Sequence, residues 1–188
     1  MNAKITEKEY NKLIQRLNFY DSKRNELLTF SFTSVLAILG VALAMDMNSV
    51  NAWLCLIPFC LIIPFSARIS YYRLASAHIT SFLKTFAQDE MQFEIGANEV
   101  AENNCQFYRL IAWLINHEMV LLGIASSCVF TMKYVSGIEA WSYFNYLSLI
   151  VPIVLPTFIF LISNTTYNYK TLLENFEQRW RSYLERKK

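Results

Sequence analysis

The sequence predicts an all-α polytopic membrane protein with four transmembrane helices and a cytoplasmic helical layer. Hydrophobic residues make up 54% of the 188 residues and charged residues only 17%, an apolar excess over ordinary soluble domains. The stretches 27–45 and 144–163 contain no charged residue, and uncharged apolar stretches of about 18 residues or more are typical of membrane spans. The 17 basic residues are also distributed unevenly around these stretches.

The second and third spans are shorter apolar runs that need polar ends to cross a bilayer. The run 53–66 has 14 residues, whereas a hydrocarbon core of about 30 Å needs about 20 helical residues. Extension to 72 supplies that length, because the long side chain of Arg68 can reach the headgroups. The run 119–132 is equally short and must begin near 116. We expect the helix of the second span to continue out of the bilayer without a break.

Basic residues predict the direction of the spans. Of the 17, only Lys133 lies near a hairpin turn, and the others lie before span one, between spans two and three, or after span four. The positive-inside rule then places both termini and the central segment in the cytoplasm. Five segments follow, namely 1–26, a cytoplasmic amphipathic helix; 27–72, the first transmembrane hairpin; 73–115, a cytoplasmic helical segment with an acidic connector; 116–163, the second hairpin; and 164–188, a basic amphipathic helix.

The cytoplasmic segments carry apolar stripes at helical spacing. Thr6 and Glu9 fit a capping box that would start the first helix. The stripe of the last helix includes Phe176, Trp180 and Tyr183. These stripes predict a small helical bundle, with docking to a partner protein or binding to the inner leaflet as alternatives. The acidic stretch 87–105 is either a solvated connector or is attracted electrostatically to the basic C-terminal tail of the same or a neighbouring protomer.

The prolines indicate a weak internal repeat. Pro58 and Pro64 in span two correspond to Pro152 and Pro156 in span four. Proline removes one helical hydrogen bond and bends the helix axis. The four prolines are therefore ordinary packing kinks, a pair of hinges, or kinks that flank a cavity.

Small residues and one titratable pair complete the set of candidate sites. Gly40 with Ala44, and Gly123 with Ser127, form two small-xxx-small patterns, which allow close helix approach. These small residues either allow close packing of helices within one protomer, or they form part of a pore wall or of an interface between subunits. The pair His117 and Glu118 lies at the entry of span three, either as an interfacial anchor or as a gate or relay.

No catalytic, cofactor or metal motif is present in the sequence, which contains no HExxH, GxSxG or P-loop pattern. We therefore expect a protein that is not an enzyme and has no direct nucleic-acid site. Three functions remain open: an oligomeric membrane sensor or scaffold with a cytosolic protein partner, a homo-oligomeric pore-forming or membrane-disrupting effector, and a small transporter or channel. A transporter is disfavoured because the mid-membrane residues carry no charge.

The order of a cytoplasmic helix, a tight hairpin and the segment "ARISYYRLASAHITSFLKTF" resembles small membrane proteins of bacterial phage-defence operons. These include SLATT-type effectors, retron-associated transmembrane effectors and the four-span subunit of Kiwa systems. SLATT proteins typically have two spans, so four spans favour the Kiwa type. The resemblance implies a host-protective inner-membrane protein that works with a soluble partner.

The predicted topology can be tested by labelling single cysteines in a cysteine-free background. Asn48→Cys should react with an impermeant thiol reagent in intact cells, because the first hairpin turn is predicted to face outward. Asn11→Cys and Glu177→Cys should react only after the cells are permeabilised. Labelling of Glu177→Cys in intact cells would contradict the topology.

Overall fold

All regular secondary structure in the described ranges of the computed structural model is helical. These ranges are 5–46, 48–86, 110, 113–138, 140–164 and 169–186. Four helices are long and apolar enough to cross a membrane, Glu7–Ala44, Ser49–Phe86, Glu118–Ser136 and Tyr143–Asn164. The predicted all-α, multi-pass architecture is confirmed.

Seven α-helices and one 3-10 turn are described. In chain order they are α1 Glu7–Ala44, α2 Ser49–Ala52, the 3-10 turn Trp53–Leu56, α3 Phe59–Phe86, α4 Glu118–Ser136, α5 Tyr143–Ser148, α6 Val151–Asn164 and α7 Tyr169–Arg186. A short helical segment also covers 113–116.

The first and third helices are longer than a bilayer requires. α1 has 38 residues, which at 1.5 Å per residue is about 57 Å, against a hydrocarbon core of about 30 Å. It begins where the capping box was predicted, since the hydroxyl of Thr6 accepts a hydrogen bond from the backbone N–H of Glu9 at 3.4 Å. α3 runs unbroken through the polar residues that follow the second apolar run, as the sequence predicted.

The second and fourth spans depart from the single helices that the sequence predicted. Residues 57–58 separate the 3-10 turn from α3, and residues 149–150 separate α5 from α6. Pro58 lies in the first of these breaks, and Pro152 is the second residue of α6, two residues after the second break. Each proline lacks the N–H of the helical ladder, and its ring crowds the carbonyl four residues earlier. The second proline of each pair, Pro64 or Pro156, lies inside the longer helix that follows.

The chain divides into two compact units. The polar unit comprises 1–24, 71–116 and 166–188, and the apolar unit comprises 25–70 and 117–165. α1 and α3 each contribute residues to both units. The acidic stretch 87–105, with its suggested match to the basic tail, lies outside the described residues.

The core of the apolar unit is formed by side chains from both hairpins. Its buried members are Val35, Leu39, Ala42, Ala52, Cys55, Phe59, Ile62, Ile69, Met119, Val120, Leu122, Phe130, Tyr134 and Ile159. Because lipid tails are as apolar as these residues, close packing rather than water exclusion must hold the hairpins together.

The two hairpin turns approach each other closely at Gly137, the residue that caps the C-terminus of α4. A Cβ atom at Gly137 would lie 2.6 Å from the Cα atom of Asn48 and would also overlap the backbone nitrogen of Ser49. Backbone atoms cannot swing aside as a flexible side chain can. Glycine is therefore required here by the space available, since its backbone dihedral is an ordinary one.

We expect Gly137→Ala to lower the free energy of unfolding by about 1–3 kcal/mol, the usual cost of overpacking. Gly40→Ala is the matched control, because a Cβ at Gly40 meets nothing within 4 Å. It should be neutral or stabilising by up to about 1 kcal/mol, as alanine is the better helix former. Unfolding titrations in detergent micelles measure both variants, and equal effects would contradict the close approach at Gly137.

Candidate functional site

A buried lysine joins the two hairpins of the apolar unit. Lys133 lies in the last turn of α4 and has no exposed surface. Its ammonium group donates hydrogen bonds to the backbone carbonyls of Ala42 and Met45, the latter at 2.8 Å. The last carbonyls of a helix have no partner within the helix and carry the negative end of its dipole. Lys133 therefore supplies both a donor and a positive charge to the end of α1.

Aromatic residues of the two hairpins contact one another close in sequence to this lysine clamp. The ring of Trp53 contacts the rings of Phe130, at 5.4 Å between centroids, and Tyr134, at 6.2 Å. The Tyr134 hydroxyl donates to the side-chain oxygen of Asn145 at 3.1 Å, and the Asn145 amide donates to the carbonyl of Ala140 at 3.0 Å. Residues from both hairpin turns are thus tied into one end of the apolar unit.

A second buried cation has a similar role in the polar unit. Arg73 of α3 is 8% exposed, and its guanidinium donates to the carbonyls of Asn116 and Ile115, each at 3.1 Å. These carbonyls end the helical segment 113–116, immediately before α4. Arg73 therefore fixes the backbone where the chain leaves the polar unit.

A groove of about 950 Å³ lies between α4 and α6, the two antiparallel helices of the second hairpin. Its walls are mainly apolar, and the residues that line it are Val120, Ile124, Ser127, Cys128, Thr131, Met132, Leu149, Pro152, Ile153, Pro156, Thr157 and Phe160. Several lining side chains are exposed along its length, among them Ile124 and Ile153. The groove is therefore open at the side, towards the lipid that would surround the span.

Of the four hinge candidates, two border this groove. Pro152 and Pro156 are buried in its wall on α6. Pro58 is fully buried at the start of α3, whereas Pro64 is exposed on that helix. The groove therefore lies beside the two prolines of the second hairpin, and a role for the prolines as hinges or as functional kinks stays a prediction.

The two small-residue pairs lie in different surroundings. A Cβ at Gly123 would lie 3.1 Å from a terminal carbon of Ile159 and 3.2 Å from the ring of Phe59, so Gly123 serves packing within the protomer. Its partner in the pattern, Ser127, lines the groove. Gly40 and Ala44 are both exposed on α1.

His117 and Glu118 lie where α4 begins. The ring of His117 is 2% exposed and stacks on Phe160 at 5.6 Å. Glu118 lies in the first turn of α4, where a carboxylate interacts favourably with the helix dipole. It also borders a smaller groove of about 420 Å³ with Asn25, Leu28, Thr29, Phe32 and Thr33.

The predicted aromatic stripe of α7 packs against α3 in the polar unit. Trp180 contacts His78 at 5.1 Å and Phe82 at 4.9 Å between ring centroids, and Phe176 contacts His78 at 5.1 Å. An ion pair of 2.8 Å joins Lys84 to Glu177 beside them. Tyr183, by contrast, is 46% exposed. Phe176 and Trp180 are therefore bundle contacts, whereas Tyr183 contacts Trp180 at 6.1 Å between ring centroids and keeps nearly half of its surface exposed.

Comparisons with known proteins give this chain no family. It matches no protein-family model and no curated protein, and no solved structure is similar to it. Within the described residues, no group of three or more histidine, cysteine or acidic side chains could hold a metal ion.

Sequence reasoning missed the lysine clamp and the groove. In the sequence Lys133 is an exception to the charge distribution, and its isolation near a hairpin turn is the one feature that could have indicated a structural role. Arg73 does not differ from the other basic residues in any sequence pattern. His78, now in contact with two aromatic rings of α7, had no pattern that distinguished it.

We expect Lys133→Met to lower the free energy of unfolding by about 1–3 kcal/mol, because it leaves two carbonyl groups without their donor. Lys84→Met is the matched control. It makes the same substitution in a partly exposed ion pair, which contributes only about 0–1 kcal/mol to the free energy of unfolding. Both are measured by unfolding titration in the same micelles, and a cost at Lys133 no larger than that at Lys84 would contradict the clamp.

Proposed function

We propose that this chain is an oligomeric inner-membrane sensor or scaffold of an antiviral defence system and works with a cytosolic protein partner. The defence role is supported by the resemblance of its layout to membrane proteins of phage-defence operons. Its multi-pass architecture is the part of this proposal that the structure shows.

The surface of α7 is the observation that carries the scaffold function. Its aromatic stripe is occupied by α3, so this helix does not need a lipid surface to bury its apolar residues. Around this stripe α7 exposes Arg179, Arg181 and Arg186, and the ring of Tyr183, at the end of the stripe, is 46% exposed. Exposed aromatic and arginine side chains are the residue types that dominate protein interfaces.

Helix continuity supports a sensing role. α1 and α3 each include residues of both units without an interruption of the helix. A change in the membrane-embedded part of either helix can therefore be transmitted along its backbone. No catalytic step is needed for such a function.

A homo-oligomeric pore-forming or membrane-disrupting effector is the second candidate. It is favoured by the outer face of α1, where Thr33, Gly40 and Ala44 are exposed. A mildly polar face of small residues suits an inter-subunit seam or a pore wall better than lipid contact. This candidate also requires an oligomer, but it requires no soluble partner.

The test compares two exposed aromatic residues of the polar unit. Tyr183→Ala should reduce co-purification of a soluble partner by about tenfold or more, with a matching loss of protection against phage, if the side chain is an interface anchor. Phe19→Ala, at a side chain that is 55% exposed on α1, should leave both unchanged. Accumulation in the membrane and detergent-solubilised mass control for folding and assembly.

A different pattern would support the pore. Ion leakage from liposomes that contain the purified chain alone, together with phage protection that is insensitive to Tyr183→Ala, would contradict the scaffold function. A detergent-solubilised mass equal to one protomer would contradict both candidates.

A further inference from the structure

Exposed apolar side chains of the polar unit are concentrated in two short segments. Among the described residues of this unit, eight large hydrophobic side chains are exposed, and six of them lie within 71–74 and 110–115. Single exposed apolar residues are ordinary on a soluble surface, whereas a cluster of them marks an interaction site. We name this cluster the boundary patch, and its members are Tyr71, Leu74, Leu110, Trp113, Leu114 and Ile115.

Arg73 joins the two segments of the boundary patch. It lies on α3 between Tyr71 and Leu74, and its guanidinium donates to the carbonyls of Asn116 and Ile115, each at 3.1 Å. Arg73 is itself buried, so its charge is not displayed with the patch. The two segments are therefore held together by a buried cation while they expose aromatic and aliphatic side chains.

Both segments adjoin membrane spans along the chain. Tyr71 lies where the second span is predicted to end, and only Asn116 and His117 separate Ile115 from α4. α4 has 19 residues, which at 1.5 Å per residue is about 28 Å, close to the whole hydrocarbon core of about 30 Å. The segment 113–116 is therefore not needed to cross the core, and its covalent link to α4 keeps it near the edge of the core.

The segment 113–116 is also distinct from the first turn of α4. His117 separates the two, with backbone dihedrals of φ −115° and ψ 19° that lie outside the α-helical region. Within the segment, Trp113, Leu114 and Ile115 are consecutive helical residues and all are exposed. Because successive helical side chains point about 100° apart, these three cover an arc of about 200°. Such a wide apolar arc suits an apolar surrounding better than water.

We infer that the boundary patch inserts into the lipid interface of the leaflet next to the polar unit, as a membrane contact outside the four spans. Tryptophan and tyrosine favour the headgroup level, and aliphatic side chains favour the adjoining acyl chains. Lipid is the occupant that fits, because the patch is continuous along the chain with two spans that lipid surrounds. This inference is independent of the proposed sensor or scaffold function.

Spin labels on single cysteines measure the depth of the patch in the full chain. Leu114→Cys and Ile115→Cys, in a cysteine-free background, carry a nitroxide, and the protein is reconstituted into liposomes of phosphatidylethanolamine and phosphatidylglycerol. Power saturation by oxygen, which concentrates in the bilayer, is compared with saturation by a water-soluble nickel chelate. We expect both labels to be more accessible to oxygen, at a depth of about 5–10 Å in the interface.

Two reference positions calibrate this depth. Ser182→Cys, at an exposed residue of α7 in the same unit, should be more accessible to the nickel chelate than to oxygen. Ile124→Cys, at a 45% exposed position of α4, should lie deeper in the bilayer than either label of the patch.

A pair of charge substitutions tests the patch against an isolated exposed side chain. Trp113→Glu introduces a carboxylate into the patch and should raise the accessibility of the Ile115→Cys label to the nickel chelate by several-fold. Phe19→Glu introduces the same charge at a 55% exposed position outside the patch and should leave that label unchanged. An unaltered Ile124→Cys label shows that the spans remain inserted in both variants.

Three results would overturn the inference. Labels at Leu114→Cys and Ile115→Cys that match Ser182→Cys would show that the patch faces water, where a soluble protein could bind it. Labels that reach neither oxygen nor the chelate, with spin–spin broadening between chains, would make the patch an interface between copies. A depth equal to that of Ile124→Cys would place the segment inside the third span.

Discussion

The hydrogen bonds from Lys133 to the end of α1 are the interaction on which the arrangement of the apolar unit depends. α1 is a long helix whose last carbonyls have no partner within the helix, and Ala42 near its end is 1% exposed and belongs to the apolar core. The ammonium group of Lys133 satisfies two carbonyls of the first hairpin from a helix of the second. Removal of either partner would leave a buried polar or charged group without compensation, which is far more costly than the net gain of making the bond. This polar contact therefore specifies which ends of the two hairpins lie together, whereas apolar packing alone is less selective.

The prolines give the two hairpins a common design around this clamp. In each hairpin the first helix is unbroken, and the second span begins with a short helical piece that a two-residue break separates from a longer helix. Pro58 lies in the first break and Pro152 in the first turn of α6, and Pro64 and Pro156 follow within the longer helices. The resemblance between the halves is structural as well as sequential. It differs in one respect, because only the second pair borders the groove between α4 and α6.

Hydropathy and charge were sufficient to predict the spans because a bilayer imposes length and polarity on each segment separately. The unbroken continuation of α3 followed from the same reasoning. The breaks at 57–58 and 149–150 did not, since a proline in a membrane helix either bends the helix or ends it, and neighbouring contacts decide which. Gly40 and Gly123 likewise have the same local pattern, yet only Gly123 faces side chains of its own chain. The clamp and the groove depend on residues about 90 and 30 positions apart, so no local pattern could predict them.

The most direct test of the central claim is a solid-state NMR distance between the Lys133 side-chain nitrogen and the Ala42 carbonyl carbon. Protein labelled with ¹⁵N at lysine side chains and ¹³C at alanine carbonyls is studied in lipid bilayers, and Lys133→Met identifies the signal of this lysine. Hydrogen-bonding geometry predicts a separation below about 4 Å between these nuclei, and hence strong dipolar dephasing that is absent in the variant. If the Lys133 nitrogen showed no coupling to any alanine carbonyl, the end of α1 would not be capped by this side chain, and the account of how the two hairpins are joined would be wrong.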